Sequence, residues 1–128
     1  VCSIAPRRLE DVVEQVEESF SEALLRLIDE RDMTDPEVYK RANIDRKLFS
    51  KIRSKKGYQP SKPTALALVV ALRLNLDETR DLIARAGYAL THANKGDIIV
   101  EYFIVRKMWD VMLINETLFA FDQPLIGR

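Results

Sequence analysis

The stretch PEVYKRANIDRKLFSKI, residues 36–52, decides the fold. Asp35 precedes Pro36, an N-cap followed by proline at the first helical position, and this opens a short helix through Ala42. Asn43 is the natural stop, because asparagine tolerates the left-handed conformation better than most residues. Ile44 follows the turn. Asp45 then caps a second short helix over 46–53, and Phe49 and Ile52, three apart, give it one apolar side. The stretch therefore reads as helix, tight turn, helix, with a polar outer surface on the second helix.

The same reading extends in both directions. Downstream, Ser54 to Lys62 is polar and holds Gly57 and Pro60, which makes it a loop. Ser61 caps a helix with Pro63 near its start, and its apolar run Ala65 to Leu72 marks it as the central buried helix. Asn75 and Glu78 have capping-box spacing, so a helix is expected over 76–86, closed by Gly87. Two more helices are expected over 97–106, with Asp97 as cap, and 109–121. Upstream, Leu9, Val13, Val16, Phe20, Ala23 and Leu27 alternate in steps of four and three, which predicts one long acidic helix over 9–31 with a heptad-like seam. No segment alternates with the period of a strand. The expected fold is all-α: a compact bundle of about six to seven helices. A tail (1–8), the acidic helix (9–31), a core (32–87) and a C-terminal extension (88–128) are expected to pack as one domain.

The formal net charge of the 128 residues is zero, but it is unevenly spread. Residues 9–37 hold eleven acids and two bases, a net of −9; residues 40–62 hold nine bases and one acid, a net of +8. Such asymmetry is a statement about partners, or about the two blocks pairing with each other. One Cys excludes an internal disulfide framework and fits a reducing, cytoplasmic setting. One His and one Cys leave almost no material for a zinc site or a nucleophilic centre, and there is no glycine-rich phosphate loop. Cys2 reads as an incidental thiol and His92 as a surface residue. The expectation is a binding module without metal or cofactor, not an enzyme. Residues 98–121 are the most apolar, but five charges within them exclude a membrane span. Residues 1–8 lack the apolar core of a signal peptide, and the start at Val1 rather than Met suggests a piece of a longer protein.

Residues 36–52 resemble the helix-turn-helix of the Cro/phage-repressor (xenobiotic-response-element-type) superfamily. The matching features are Ile44 after the turn, Asp45 capping the second helix, and the anchoring pair Phe49 and Ile52. The likeness extends over about 65 residues, roughly Ser21 to Ala86, and includes the Asn75-Leu76-Asp77-Glu78 opening. Two positions depart from it: Leu48 stands where such domains present a polar reader, and Asn43 replaces the usual turn glycine. Over most of the chain, the run from Tyr39 to Leu90 followed by DIIVEYFI (97–104) and INETLFAFDQPLIG (114–127) is similar to a small helical domain that follows a macro domain, an ADP-ribose-binding module, in some bacterial proteins. No macro-domain sequence is present, so no ADP-ribose site carries over. The resemblance implies duplex DNA as partner and a place in a larger bacterial regulatory protein.

On that reading Arg46, Lys47, Ser50 and Lys51 face base edges and phosphates, Lys55, Lys56 and Lys62 in the loop meet the backbone, and Arg53 belongs to the same DNA-binding set. The competing reading is a solvated charged face, or one covered by the acidic helix. An interaction module that keeps the fold without DNA is the alternative function. It would dimerise, or dock to an ADP-ribose-type enzyme domain, through 9–28 or 98–121. The apolar residues of 98–121 either complete the core or form such a surface.

Overall fold

The computed structural model describes residues 8–13, 18–55 and 57–127. Among them are seven helices of eight to eleven residues: α2 (Phe20–Glu30), α3 (Asp35–Ala42), α4 (Arg46–Ser54), α5 (Lys62–Ala71), α6 (Leu76–Arg85), α7 (Lys95–Val105) and α8 (Val111–Ala120). A five-residue piece, α1 (Leu9–Val13), precedes them. No strand occurs among the described residues. The protein is an all-α bundle, as its periodicity implies.

Local chemistry sets the helix starts. Thr34 and Glu37 close a capping box on α3, so the helix begins one residue before the expected Pro36 and its cap is Thr34 rather than Asp35. Asn43 ends α3 in the left-handed conformation, at φ 57° and ψ 41°. Ser61 caps α5, and Asn75 with Glu78 closes a capping box on α6. Gly87 follows α6 at φ 87°, a conformation that favours glycine.

Two further expectations are overturned. The single long helix over 9–31 is broken: Ser19 is extended (ψ 172°) and forms a capping box with Glu22, so α2 starts afresh at Phe20. The capping box satisfies two donors that a continuous helix would bond internally, and it competes with the heptad seam. The seam is divided accordingly. Phe20, Ala23 and Leu27 are buried, Leu9 and Val13 are 72% and 57% exposed, and Val16 lies outside the described residues. Asp97 does not cap α7; Asn94 does, accepting from the Asp97 N–H. Asp97 is instead buried, where it accepts from Lys62 Nζ at 2.8 Å and from the Thr91 N–H at 3.0 Å. A buried carboxylate requires such partners.

α5 is the hub. All eight residues from Thr64 to Ala71 are buried, and α3, α6 and α8 pack on it. α2 lies on α4 and α6, and α7 lies on α6 and α8. The C-terminal residues form a strap over this hub. Asn115 holds both the N–H and the carbonyl of Ile126, at 2.9 and 3.0 Å, and the Gly127 N–H donates to Pro63 O. Gly127 has φ +81°, and a Cβ there would collide with the Ala42 carbonyl oxygen at the end of α3. The strap therefore ends against the turn between α3 and α4.

Candidate nucleic-acid interface

The turn between α3 and α4 is three residues long, and both helices are fixed from inside. Val38, Ala42, Ile44, Phe49 and Ile52 are all buried. The Tyr39 and Phe49 rings stand 5.8 Å apart and tilted, tying α3 to α4. With one side of α4 locked, its outer side is set by the pattern of the remaining residues. Arg46, Lys47, Ser50, Lys51 and Arg53 are all exposed, as is Lys55 just beyond the helix. Leu48 is half-buried and packed against the core, so the apolar residue in a reader's place is an anchor.

The bases differ in their partners. Among the described residues, Arg46, Lys47, Lys51 and Lys55 have no carboxylate partner, whereas Arg53 is paired with Asp35 at 2.9 Å. Lys62 is engaged with the buried Asp97, on the far side of the loop, and its Nζ is committed to the core edge. Sequence proximity grouped Lys62 with the loop cations; the structure separates it from them. Lys56 lies outside the described residues. The acidic segment pairs partly within itself, where Arg26 holds Glu18 at 2.6 Å and Glu30 at 3.2 Å, and partly outward: Arg31 holds Glu78 at 3.0 Å, and Asp35 and Glu37 meet Arg53 and Arg41 of the basic block at 2.9 and 3.8 Å. The Arg26 hydrogen bond keeps the Glu18 carboxyl below the ordinary range.

The start of α4 breaks a local rule. The other helices of eight or more residues have an N-cap side chain that accepts a backbone N–H, but the Asp45 side chain makes no such bond. Arg46 and Lys47 then occupy the first turn, where the helix dipole disfavours cations by about 0.3–1 kcal/mol each. An anion lying there would meet open N–H groups and two cations together. The loop after α4 is held in place, since Ser21 Oγ donates to Lys55 O, the Tyr58 N–H closes a turn on the same carbonyl, and Tyr88 Oη donates to Pro60 O at 2.9 Å.

Sequence reasoning missed a second cationic group. Lys40, Arg41 and Arg73 line a surface depression with Asn43, Trp109 and the carboxylate Asp110 at the C-terminal end of α3, and Arg41 also meets Glu37 at 3.8 Å. Arg73 is itself left-handed (φ 56°), two residues beyond the end of α5 at Ala71, and nothing local in the sequence signals it. His92 is exposed and meets Glu101 at 3.0 Å. Among the described residues, no group of three or more His, Cys, Asp or Glu side chains is placed to hold a metal ion, and no helix is long and apolar enough to cross a membrane.

The C-terminal apolar residues divide into two sets. Val100, Phe103, Ile104, Val111, Ile114 and Leu118 complete the core, which accounts for part of the excess seen in the sequence. Ile98, Tyr102, Val105, Met112, Leu113 and Phe119 are exposed. Comparison with protein-family models gave no match, and no curated protein or solved structure matches the chain.

Proposed function

We propose that the chain is a helix-turn-helix module that binds duplex DNA through α4 and the loop after it, residues 46–56, as part of a larger bacterial regulatory protein. One observation carries this reading: Arg46, Lys47 and Lys51 are exposed and, among the described residues, have no carboxylate partner, on a helix whose opposite side is locked by Phe49 and Ile52. Arg46, Lys47, Ser50 and Lys51 approach base edges and phosphates in the major groove, and Lys55 meets the flanking backbone. The module binds and does not catalyse. Arg53 and Lys62 have a smaller part than their neighbours, because each is already paired with a carboxylate.

The test is the affinity for random duplex DNA at two salt concentrations, with Lys47→Ala and Lys51→Ala beside the parent. Each variant should lower the log–log salt slope by about 0.9, the value for one lost phosphate contact. Absence of binding at low salt refutes the reading.

The exposed apolar side of α7 and α8 favours a second reading: an interaction module that keeps this fold and docks to another chain or to a neighbouring domain, of ADP-ribose-binding type in the arrangement the sequence resembles. The two readings use different sides of the molecule.

A further inference from the structure

Where the C-terminal strap crosses the hub it leaves a partly open cavity of about 140 Å³. The walls are apolar: Leu66 from α5, Val100 from α7, Leu118 from α8, and Leu125 and Ile126 from the strap. Asp97 and Lys62 line the same cavity and give it one polar end. A cavity of about 150 Å³ with aliphatic walls holds a benzene ring, so there is room here for a ligand of about six or seven heavy atoms. The polar end has an unused acceptor. Asp97 is only 3% exposed, and its bonds from Lys62 Nζ at 2.8 Å and from the Thr91 N–H at 3.0 Å both go to Oδ2. Among the described residues no hydrogen bond reaches Oδ1. Thr79 Oγ1 is the one fully enclosed side-chain atom without a partner among those residues, so Oδ1 keeps some open surface, and the cavity is the open space that Asp97 meets. Lys62 Nζ carries three donors and uses one of them on Asp97.

We infer that this cavity is a binding site for a small neutral amide with a short, branched hydrocarbon body. Charge selects the head group. Lys62 already balances Asp97, so an anion meets the carboxylate and a cation meets the ammonium, and each gives up its water for no net attraction. A purely apolar ligand shuts Oδ1 away from water and brings it no donor. A primary amide carries an N–H for Oδ1 and, beside it, a carbonyl oxygen that accepts from Nζ. The walls select the body. Leu66, Val100, Leu118 and Leu125 present branched aliphatic surface, and the volume left beside the head takes about four carbons. A straight chain of the same size fills such a space less well than a branched one. No residue of α4 takes part, so the site stands apart from the DNA reading.

Titration of the whole chain with isovaleramide, followed through its backbone amide signals by NMR, tests this directly. The signals of Thr91, Asp97, Val100 and Ile126 should shift together and saturate, with a Kd on the order of a millimolar, the range open to so small a ligand. Methyl isobutyl ketone has the same shape without the N–H, and isovalerate has it with a negative charge. Each should bind about tenfold more weakly or worse. Leu125→Phe fills the cavity from the half-buried strap and should weaken isovaleramide binding by about tenfold or more, with little change in melting. Asp97→Asn must keep its oxygen toward Lys62 and Thr91, which turns its amide nitrogen to the open position. It should therefore reverse the preference, from isovaleramide to isovalerate. Shifts that do not saturate overturn the inference, as does a ketone or an acid that binds the parent as tightly as the amide. A Leu125→Phe variant that binds like the parent overturns it too, and so does a folded Asp97→Asn variant that still prefers the amide. If Asp97→Asn does not fold, the ketone and Leu125→Phe decide the matter alone.

Discussion

The α3–α4 pair and the α7–α8 hairpin follow one plan and end with opposite exteriors. Both are short helices joined by a tight connection, and both bury one apolar side against the bundle centred on α5. Outside, α4 shows Arg46, Lys47, Ser50 and Lys51, while α7 and α8 show tyrosine, methionine, valine and phenylalanine. Core formation explains the inner sides equally well and leaves both outer sides unexplained. A cationic exterior is cheap to keep solvated and selects a partner by charge; an apolar exterior is a liability unless it is covered. On the proposed reading, recognition of a polyanion belongs to one end and docking to the other.

The largest effect that breaks the comparison comes from two phenylalanines, one buried and one exposed. Phe49 and Phe119 are the same residue type on opposite sides of the division. Phe49→Ala removes a buried ring that anchors α4 and should destabilise the fold by about 3–5 kcal/mol. Phe119→Ala should change the stability of the isolated chain by about 0.5 kcal/mol or less. Urea denaturation at a concentration low enough to keep the chain monomeric separates the two. Similar losses would mean that Phe119 is covered within one chain, and the docking surface would go with it.

A smaller effect sharpens the boundary of the basic side. Lys62 and Lys51 lie in one cationic block of the sequence but have different duties in the structure. Lys62→Met leaves Asp97 buried without its cation, which should destabilise by about 1–3 kcal/mol, below the value for a fully buried pair because the lysine is partly exposed. It should leave the salt slope of DNA binding unchanged. Lys51→Ala should do the reverse: a stability change within about 0.5 kcal/mol and a shallower slope. A Lys62→Met variant with parental stability and a reduced slope would return Lys62 to the interface.

What the sequence shows and what it hides divide along the range of the signals. Ser61, Asn75 with Glu78, and Asn43 act within four residues of themselves, and each does in the structure what its spacing implies. Ser19 and Glu22 have the same capping-box spacing, set within the regular apolar steps from Leu9 to Leu27, and in the structure the cap prevails while Leu9 and Val13 stay exposed. Asp97 has the composition of a cap; its partner Lys62 lies 35 residues away, beyond any local pattern. The clamp of Asn115 on Ile126 and the approach of Arg73 to Lys40 are tertiary in the same sense. The basic character of 46–55 was legible because helical period alone puts Phe49 and Ile52 inside and the cations outside. Which half of the apolar residues in 98–121 remains uncovered was not, because period defines two sides of a helix but not which one meets the bundle.

The smallest effect concerns the acidic residues that hold the frame between the two ends. Burial pushes the Glu78 carboxyl up, but the Asn75 N–H and the Arg31 guanidinium outweigh it and hold it below the usual 4.5. Glu78 is thus more acidic folded than unfolded. Its contribution to stability is complete above the unfolded value and is lost as pH falls through the lower, folded one. Between pH 7 and about 5 the gap between the parent and Glu78→Gln should stay constant; below about 4.5 it should shrink toward zero. Glutamine can still accept the Asn75 N–H, so the difference isolates the charge and its link to Arg31, which joins α2 to α6. The gap should be about 1 kcal/mol or less, because the pair is only half-buried and solvent screens it. Melting temperatures of both proteins across this pH range measure it, and a gap that widens in acid would show that the carboxylate is strained where the geometry has it stabilised.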